Sequence, residues 1–215
     1  MTQHFGRRTS TVFRIAVLGV PLFLAGFVVA GVLYWRSDAA WGVGQPADQP
    51  IPFRHDLHVG GLGIDCRYCH SAVERAASAG MPSARTCLTC HSEVWKGLAT
   101  LEPLRTSMAL DVPVPWQSVH RLPEFSVFHH GAHVRKGVAC ETCHGRVDQM
   151  ERTVKTQPMS MGWCLECHRD PEPALRPASK VFEMGWIGDG HPTIGTPTLT
   201  PAEARRLTDC STCHK

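Results

Sequence analysis

All ten cysteines of this chain lie in five Cys-x-x-Cys-His blocks, and no thiol is left over. Two thiols at that spacing can form thioethers with one porphyrin, and the histidine that follows can bind its iron. The blocks therefore predict five covalently attached haem c groups. The predicted attachment residues are Cys66 and Cys69, Cys87 and Cys90, Cys140 and Cys143, Cys164 and Cys167, and Cys210 and Cys213. The predicted proximal iron ligands are His70, His91, His144, His168 and His214.

Other uses of paired cysteines fit this pattern poorly. A zinc ribbon needs two pairs for each metal, and five pairs cannot be divided in that way. Neither a zinc site nor a disulfide scaffold requires a histidine directly after the second cysteine. A thioredoxin-like redox pair expects a βαβ context, which the sequence does not show.

Composition indicates how such a chain can be packed. Aromatic residues make up only 7% of the 215 residues, whereas there are 19 glycines and 16 prolines. This composition does not favour a core of regular elements, but porphyrins are large apolar bodies on which side chains can pack. We therefore expect a mainly α-helical and irregular multihaem cytochrome c, with a haem-packed core, short helices, loops and no convincing strands.

An uncharged apolar stretch over residues 15–35 predicts one transmembrane helix, since about 20 such residues span a bilayer. Basic residues before it predict a cytoplasmic N-terminus and a periplasmic haem domain, in the inner membrane of a bacterium. They are Arg7, Arg8 and Arg14. A cleaved signal peptide, with a weak processing site at Ala39 and Ala40, is the alternative, and we expect the segment to be retained as an anchor.

The rest of the chain contains an internal repeat. Phe53-x-His55-x-x-His58 precedes the first block, and Phe128-x-His130-x-x-His133 precedes the third, 75 residues later at the histidines. The predicted organisation is an anchor over residues 1–36, a linker over 37–52 and a pentahaem domain over 53–215. Within that domain we expect two repeat units, 53–100 and 128–172, followed by a terminal block at 210–214.

Local patterns predict a few short elements. Short helices are expected over residues 71–79 and 93–102, followed by a proline-broken spacer over 101–123. Thr200-Pro-Ala-Glu203 has the pattern of a capped helix start, and the helix should run towards Cys210.

The sixth iron ligand decides what each haem can do, because an iron closed on both faces passes electrons but binds no substrate. His55, His58, His130 and His133 are the predicted distal ligands, since two histidines three residues apart point to similar sides of a helical turn. Met150 is the favoured ligand of the remaining haem. The alternatives left open there are Met159, Met161, His120, His129 and His191.

The motifs resemble those of the membrane-anchored pentahaem cytochrome subunit of alternative complex III, a bacterial quinol-oxidising complex, which is related to multihaem cytochrome c7-like proteins. The resemblance rests on the single N-terminal helix, the five blocks and three motifs. These motifs are the stretch from Trp116 to His133, Cys143-His-Gly with Val147-Asp-Gln-Met150, and Met161-Gly-Trp-Cys164. The usual pattern has Asn where this chain has His129.

The resemblance implies an electron-transfer subunit without catalysis of its own. Its implied partners are polytopic quinol-binding membrane subunits, an iron–sulfur subunit and a monohaem cytochrome c subunit. Electrons would leave to a soluble cytochrome, a copper protein or a terminal oxidase. A net charge of +3 without a basic stripe gives no indication of nucleic-acid binding.

Two other functions remain open at this point. A stand-alone, one-helix quinol dehydrogenase would need an open iron site near the membrane, close to Cys66. A multihaem reductase of small oxyanions often carries Lys in place of the block histidine, and no such block occurs here.

Overall fold

The computed structural model of the chain describes residues 6–188 and 200–214, and it divides the chain into two compact units, 1–42 and 43–215. Helix α1 (Arg7–Trp35) forms most of the first unit and is followed by a 3-10 turn, Asp38–Trp41. The helix has 29 residues, and its most apolar window has a mean hydropathy of 2.5. It begins before the predicted residue 15 and is long and apolar enough to cross a membrane.

The second unit is built from short helices joined by turns and irregular segments. Its helices are α2 (Cys66–Cys69), α3 (Ala84–His91), α4 (Glu102–Leu110), α5 (His130–Arg135), α6 (Cys140–His144), α7 (Met161–Arg169), α8 (Pro201–Thr208) and α9 (Cys210–Cys213). A π-helical turn covers Asp56–Gly61, and 3-10 turns cover Ala99–Leu101, Val147–Gln149, Glu172–Ala174 and Ala178–Lys180. Over the described ranges there are three isolated β-bridges and no strand, which confirms the predicted fold class.

Side chains alone form only a small core in this unit. One cluster combines Ile51, Ala84, Leu101, Leu104 and Val114, against which Trp116 packs. The stretch 43–52, which was predicted to be linker, contributes Ile51 to this cluster. Most other apolar side chains of the described part remain at least partly exposed, so amino acids alone do not supply an ordinary interior.

The helix predicted over residues 71–79 is wrong, because the chain there forms turns and bends. The carbonyl groups that would continue a helix have partners elsewhere. Ala76 O accepts from Gly131 N at 3.0 Å, and Ala77 O accepts from His130 N at 3.1 Å. These tertiary hydrogen bonds replace the helical ones, so packing overrides the helix propensity of the alanines.

The helix predicted over residues 93–102 is also wrong, and the spacer predicted over 101–123 contains a helix. The chain forms turns over residues 92–97, where Trp95 adopts a left-handed φ of 56° that a helix does not allow, and α4 begins only at Glu102. The helix expected from Thr200 is confirmed as α8. Its capping box pairs Glu203 N with Thr200 Oγ1 and Thr200 N with Glu203 Oε2.

The two repeat units brace each other reciprocally. The first histidine segment lies on the turn after the third block, where Asp56 N donates to Met150 O at 3.2 Å. The second histidine segment lies on the turn after the first block, where Gly131 N donates to Ala76 O. An exchange in which each copy makes the same contact to the other is typical of two-fold symmetry. The repeats are therefore arranged as a pseudo-two-fold pair.

Gly131 makes this bracing possible, which gives a stability prediction. A Cβ at residue 131 would lie 2.8 Å from Glu74 O, a backbone atom that cannot turn away. We expect Gly131→Ala to destabilise the haem-loaded full-length protein by about 1–3 kcal/mol, the usual cost of overpacking. A lowered Tm in circular dichroism melts would show it.

Gly97 provides the matched control for this substitution. A Cβ there meets nothing within 4 Å, and φ is not positive, so Gly97→Ala should melt at or slightly above the parent temperature. Equal melting of the two variants would contradict the close approach at Gly131.

Candidate haem-binding site

Each of the five blocks coincides with a short helix that presents its two cysteines and its histidine together. Ser83 and Ser160 precede two of these helices, and Asp65 caps α2 by accepting from Arg67 N at 2.8 Å. All ten cysteines fall within the described ranges, and none of them is paired in a disulfide. The thiols are therefore available for attachment chemistry in every block.

The two Phe-x-His-x-x-His segments fold in the same way around their phenylalanine. The Phe53 ring stacks on His58 with centroids 4.4 Å apart and meets His55 edge-on at 4.8 Å. In the second repeat the Phe128 ring stands 4.4 Å from His133 and 4.8 Å from His130. Interplanar angles agree within 2°, so the sequence repeat is a repeat of side-chain geometry as well.

Three predicted distal histidines face predicted proximal ones at nearly equal distances. The ring centroids are 6.2 Å apart for His58 and His91, 6.3 Å for His130 and His144, and 6.1 Å for His133 and His168. A metal–imidazole bond is about 2 Å long and the ring centre lies about 1 Å beyond the nitrogen, so two rings across one metal have centroids about 6 Å apart. The three pairs fit one iron each.

His55 and His70 are the residues of the first repeat that are equivalent to His130 and His144. Burial, followed by the charges of His70 and His58, lowers the pKa of His55 to about 4. His70 is therefore a close neighbour of His55. A histidine that stays neutral keeps a lone pair for metal binding.

Hydrogen bonds at Nδ1 orient the four distal rings. His58 donates to Arg54 O at 2.8 Å and His133 donates to His129 O at 2.9 Å, the same i−4 contact in both repeats. His55 Nδ1 pairs with Thr153 Oγ1 at 2.9 Å, and His130 donates to Ala77 O at 2.7 Å. Because Nδ1 is engaged in each ring, Nε2 is the nitrogen left for a metal.

The proximal rings are held in the same manner. His70, His91, His168 and His214 donate Nδ1–H to the backbone carbonyl groups of Gly80, Val94, Leu207 and Phe125, at 2.7, 3.0, 2.8 and 3.2 Å respectively. His144 differs, because its Nδ1 lies 3.3 Å from His120 Nε2. Burial, followed by the charges of His120 and His130, lowers the pKa of His144 to about 3.

Contacts between the blocks give their order in space. Tyr68 OH and Thr89 Oγ1 join the first and second blocks at 2.7 Å. The Cys140 side chain lowers the pKa of the Cys66 thiol to about 7, and Cys66 raises the pKa of Cys140, so these equivalent residues of the two repeats are neighbours. Residues that meet their own equivalents in this way are expected near a two-fold axis.

The remaining blocks follow from the third. Burial, and then the charges of Cys167 and Cys164, raise the pKa of the Cys143 thiol to about 12. The Cys164 thiol in turn has its pKa raised by burial and by Cys213 of the last block. Together, the Tyr68–Thr89 contact and these electrostatic neighbours link the blocks in the order second, first, third, fourth, fifth.

The fifth block has a proximal histidine with a defined neighbourhood. His214 stacks on Phe125, with centroids 5.8 Å apart, in addition to its Nδ1 hydrogen bond. Its distal ligand stays a prediction. Met150 O contacts the first histidine segment, Met161 is 66% exposed, and Met159 has a left-handed φ of 50°. His191 lies outside the described residues.

His129 and His130 have separate roles in the structure. His129 Nδ1 accepts from Ala132 N at 3.2 Å and so caps α5, whereas the His130 ring faces His144. The resemblance described above leads one to expect asparagine at this position. Histidine can replace it here because both side chains can accept a hydrogen bond at a helix N-cap.

Two further observations indicate that the interior around the blocks is suited to porphyrins. Trp116 Nε1 is buried and has no hydrogen-bond partner among the described residues. An indole N–H is only a donor, and leaving it unpaired costs about 1–3 kcal/mol, so an acceptor such as a propionate oxygen would satisfy it. The small side-chain core likewise leaves apolar surface for large apolar groups to cover.

Several residues that complete this arrangement were not predicted from the sequence. Thr153 and Ala77 position distal rings, Gly80 and Leu207 position proximal ones, and His120 contacts His144 instead of standing alone. Most of these contacts use backbone carbonyl groups, which carry no residue-type signal. The sequence singled out only His120, as one candidate for the distal ligand of the remaining haem, and its contact with His144 was not predicted.

The predicted ligand role of His133 gives a redox prediction. Replacing imidazole by a thioether raises a haem potential, so His133→Met should raise the midpoint potential of one haem and leave the other four in place. A potentiometric titration followed in the visible spectrum measures this.

His129→Asn is the matched control from the same segment. Asparagine preserves the N-cap, and the His129 carbonyl group that accepts from His133 is unchanged by the substitution. All five potentials should stay as in the parent. An unchanged titration of His133→Met, or a lost haem in His129→Asn, would refute the assignment.

Comparison with known proteins agrees with this geometry. Residues 126–215 match the family model described as cytochrome c7 and related cytochrome c. The chain is 33% identical over 131 residues to a protein of Nitratidesulfovibrio vulgaris (strain Hildenborough) named menaquinone reductase, multiheme cytochrome c subunit. The match covers 59% of each chain, so this chain spans about three fifths of the length of that relative. Residues 126–215 thus form a cytochrome c7-like region of a mainly helical and irregular fold.

Proposed function

We propose that this chain is the electron-relay subunit of a membrane complex that exchanges electrons with the quinone pool. The observation that carries the proposal is the facing of paired histidine rings about 6 Å apart, repeated in both halves of the chain. Similarity to a menaquinone reductase subunit supports the same class of complex. Five haem c groups, one for each block, are the proposed cofactors.

The ligand arrangement favours transfer of electrons over catalysis on this chain. A haem c iron carries one electron by changing between its ferrous and ferric states. Where two histidines close both faces of the iron, no position remains for a substrate. The chain's own part is then to hold ligands, to fix ring orientation through the Nδ1 hydrogen bonds and to exclude water.

The block order supports a row with two ends. The second block, Cys87–His91, stands at one end and the fifth, Cys210–His214, at the other, with the contact of Cys66 and Cys140 between them. A partner that gives electrons and one that takes them would dock near opposite ends. This arrangement keeps the two exchanges apart on one chain.

Helix α1 supports a membrane anchor with the haem domain on the periplasmic side, because basic residues precede its apolar stretch. The resemblance to alternative complex III supports a more specific proposal about the partner subunits and the path of the electrons. The chain would assemble with polytopic quinol-binding subunits, an iron–sulfur subunit and a monohaem cytochrome. Electrons from quinol would pass to a soluble carrier or to an oxidase.

Electron flow in the opposite direction, from the periplasm to quinone, is the second candidate function. It is favoured by the relative from Nitratidesulfovibrio vulgaris, which is named as a subunit of a menaquinone reductase. In that case periplasmic electrons would enter this chain and reduce quinone in the membrane. The two candidates share the subunit's role and differ in which end receives electrons.

Activity of the purified protein tests this proposal. We expect the intact complex, extracted from its membrane in mild detergent, to reduce its haems with menaquinol, because the quinol site lies on partner subunits. The same chain purified alone should carry five haems by mass and show no menaquinol oxidation. Stopped-flow absorbance at the haem α-band follows both reactions.

The controls separate the alternatives. Dithionite should reduce the haems of the isolated chain, which shows that the lack of reaction with quinol is not damage. Menaquinol oxidation by the isolated chain would establish a stand-alone dehydrogenase instead. If the complex reduces menaquinone with a reduced carrier but does not oxidise menaquinol with an oxidised carrier, the quinone-reducing direction is assigned.

A further inference from the structure

The third block differs from the other four in what holds its proximal histidine. His144 Nδ1 lies 3.3 Å from His120 Nε2, and the rings meet edge-on, with centroids 4.4 Å apart and planes at 88°. An edge-on approach directs a ring nitrogen of one residue at the other, as a hydrogen bond requires.

Nε2 is the nitrogen of His144 left for iron, because Nδ1 lies against His120. The His144 ring is parallel to His130 within 5°, at a centroid distance of 6.3 Å. With Nε2 directed to the metal, the proton of the neutral His144 ring resides on Nδ1. His144 Nδ1 is then the donor, and His120 Nε2 accepts.

The equivalent residue of the first repeat shows what is unusual here. His70 donates its Nδ1–H to Gly80 O at 2.7 Å, a backbone acceptor. His144 has instead a side-chain acceptor that comes from a distant segment, the spacer before the second histidine pair. Two otherwise equivalent sites thus differ in one hydrogen bond.

We propose that His120 is a positioning residue for the third haem, which sets that haem's potential by accepting a hydrogen bond from His144 and does not bind iron itself. The inference rests on the proposed role of His144 as an iron ligand. His120, one of the candidates for the distal ligand of the fifth haem, is then a hydrogen-bond partner of the proximal ligand His144 instead.

The expected effect follows from the electron density on His144. An acceptor at Nδ1 makes a ligating imidazole more basic, and a more basic ligand stabilises the ferric state. Removal of the acceptor should therefore raise the potential of the third haem. The neighbouring haems keep their own ligands and hydrogen bonds, so their potentials should stay in place.

The test is a redox titration of the full-length, haem-loaded His120→Ala protein, with electron paramagnetic resonance of its oxidised form. One of five potentials should rise, and all haems that are low-spin in the parent should remain low-spin. His120→Gln, whose side-chain oxygen can accept, should move that potential back towards the parent value. Gln117→Ala, an exposed neutral side chain of the same spacer, is the matched control and should change nothing.

Each other result overturns the proposal. Five unchanged potentials in His120→Ala would show that the contact does not tune the haem. A new high-spin signal would show that His120 is itself an iron ligand. If His120→Ala does not mature, His120→Gln decides alone, since a parent-like titration supports an acceptor role and a high-spin haem contradicts it. Absence of haem from the parent protein would instead remove the proposed function.

Discussion

Each repeat forms a hydrogen bond to a predicted distal histidine of the other repeat. The arrangement of the rest of the domain depends on these two hydrogen bonds. His55 is held by Thr153 from the second repeat, and His130 is held by Ala77 from the first. Neither repeat could orient both of its distal rings alone. Because the exchange is reciprocal, the equivalent cysteines of the first and third blocks, Cys66 and Cys140, lie next to each other.

This constraint also explains a fold with so little side-chain core. At several points between the blocks, backbone carbonyl groups accept from histidine rings instead of continuing a helix, as Ala77 O does for His130 and Gly80 O does for His70. Gly131 allows α5 to approach the backbone of residue 74 closely enough for the exchange. Cooperative stability then depends on large apolar groups between the segments, which is consistent with the exposed apolar surface of the polypeptide.

Sequence reasoning reached the covalent chemistry because that chemistry requires fixed residue types at fixed spacing. The repeat of Phe53 and Phe128 likewise led to the facing pairs, since both copies must satisfy the same geometry. It failed over residues 71–79, where alanines favour a helix but their carbonyl groups bond α5. It also missed the role of His120, since a contact with His144 across the fold leaves no local pattern. The ligand of the fifth haem remains a prediction for the same reason.

The number of irons with two histidine ligands is the quantity on which the account depends most directly. Near-infrared magnetic circular dichroism of the fully oxidised protein counts such haems, because the charge-transfer band of a low-spin ferric haem reports its pair of axial ligands. We predict four bis-histidine haems per chain, from the pairs His55–His70, His58–His91, His130–His144 and His133–His168. Fewer than four, or high-spin iron at any of these four sites, would contradict it.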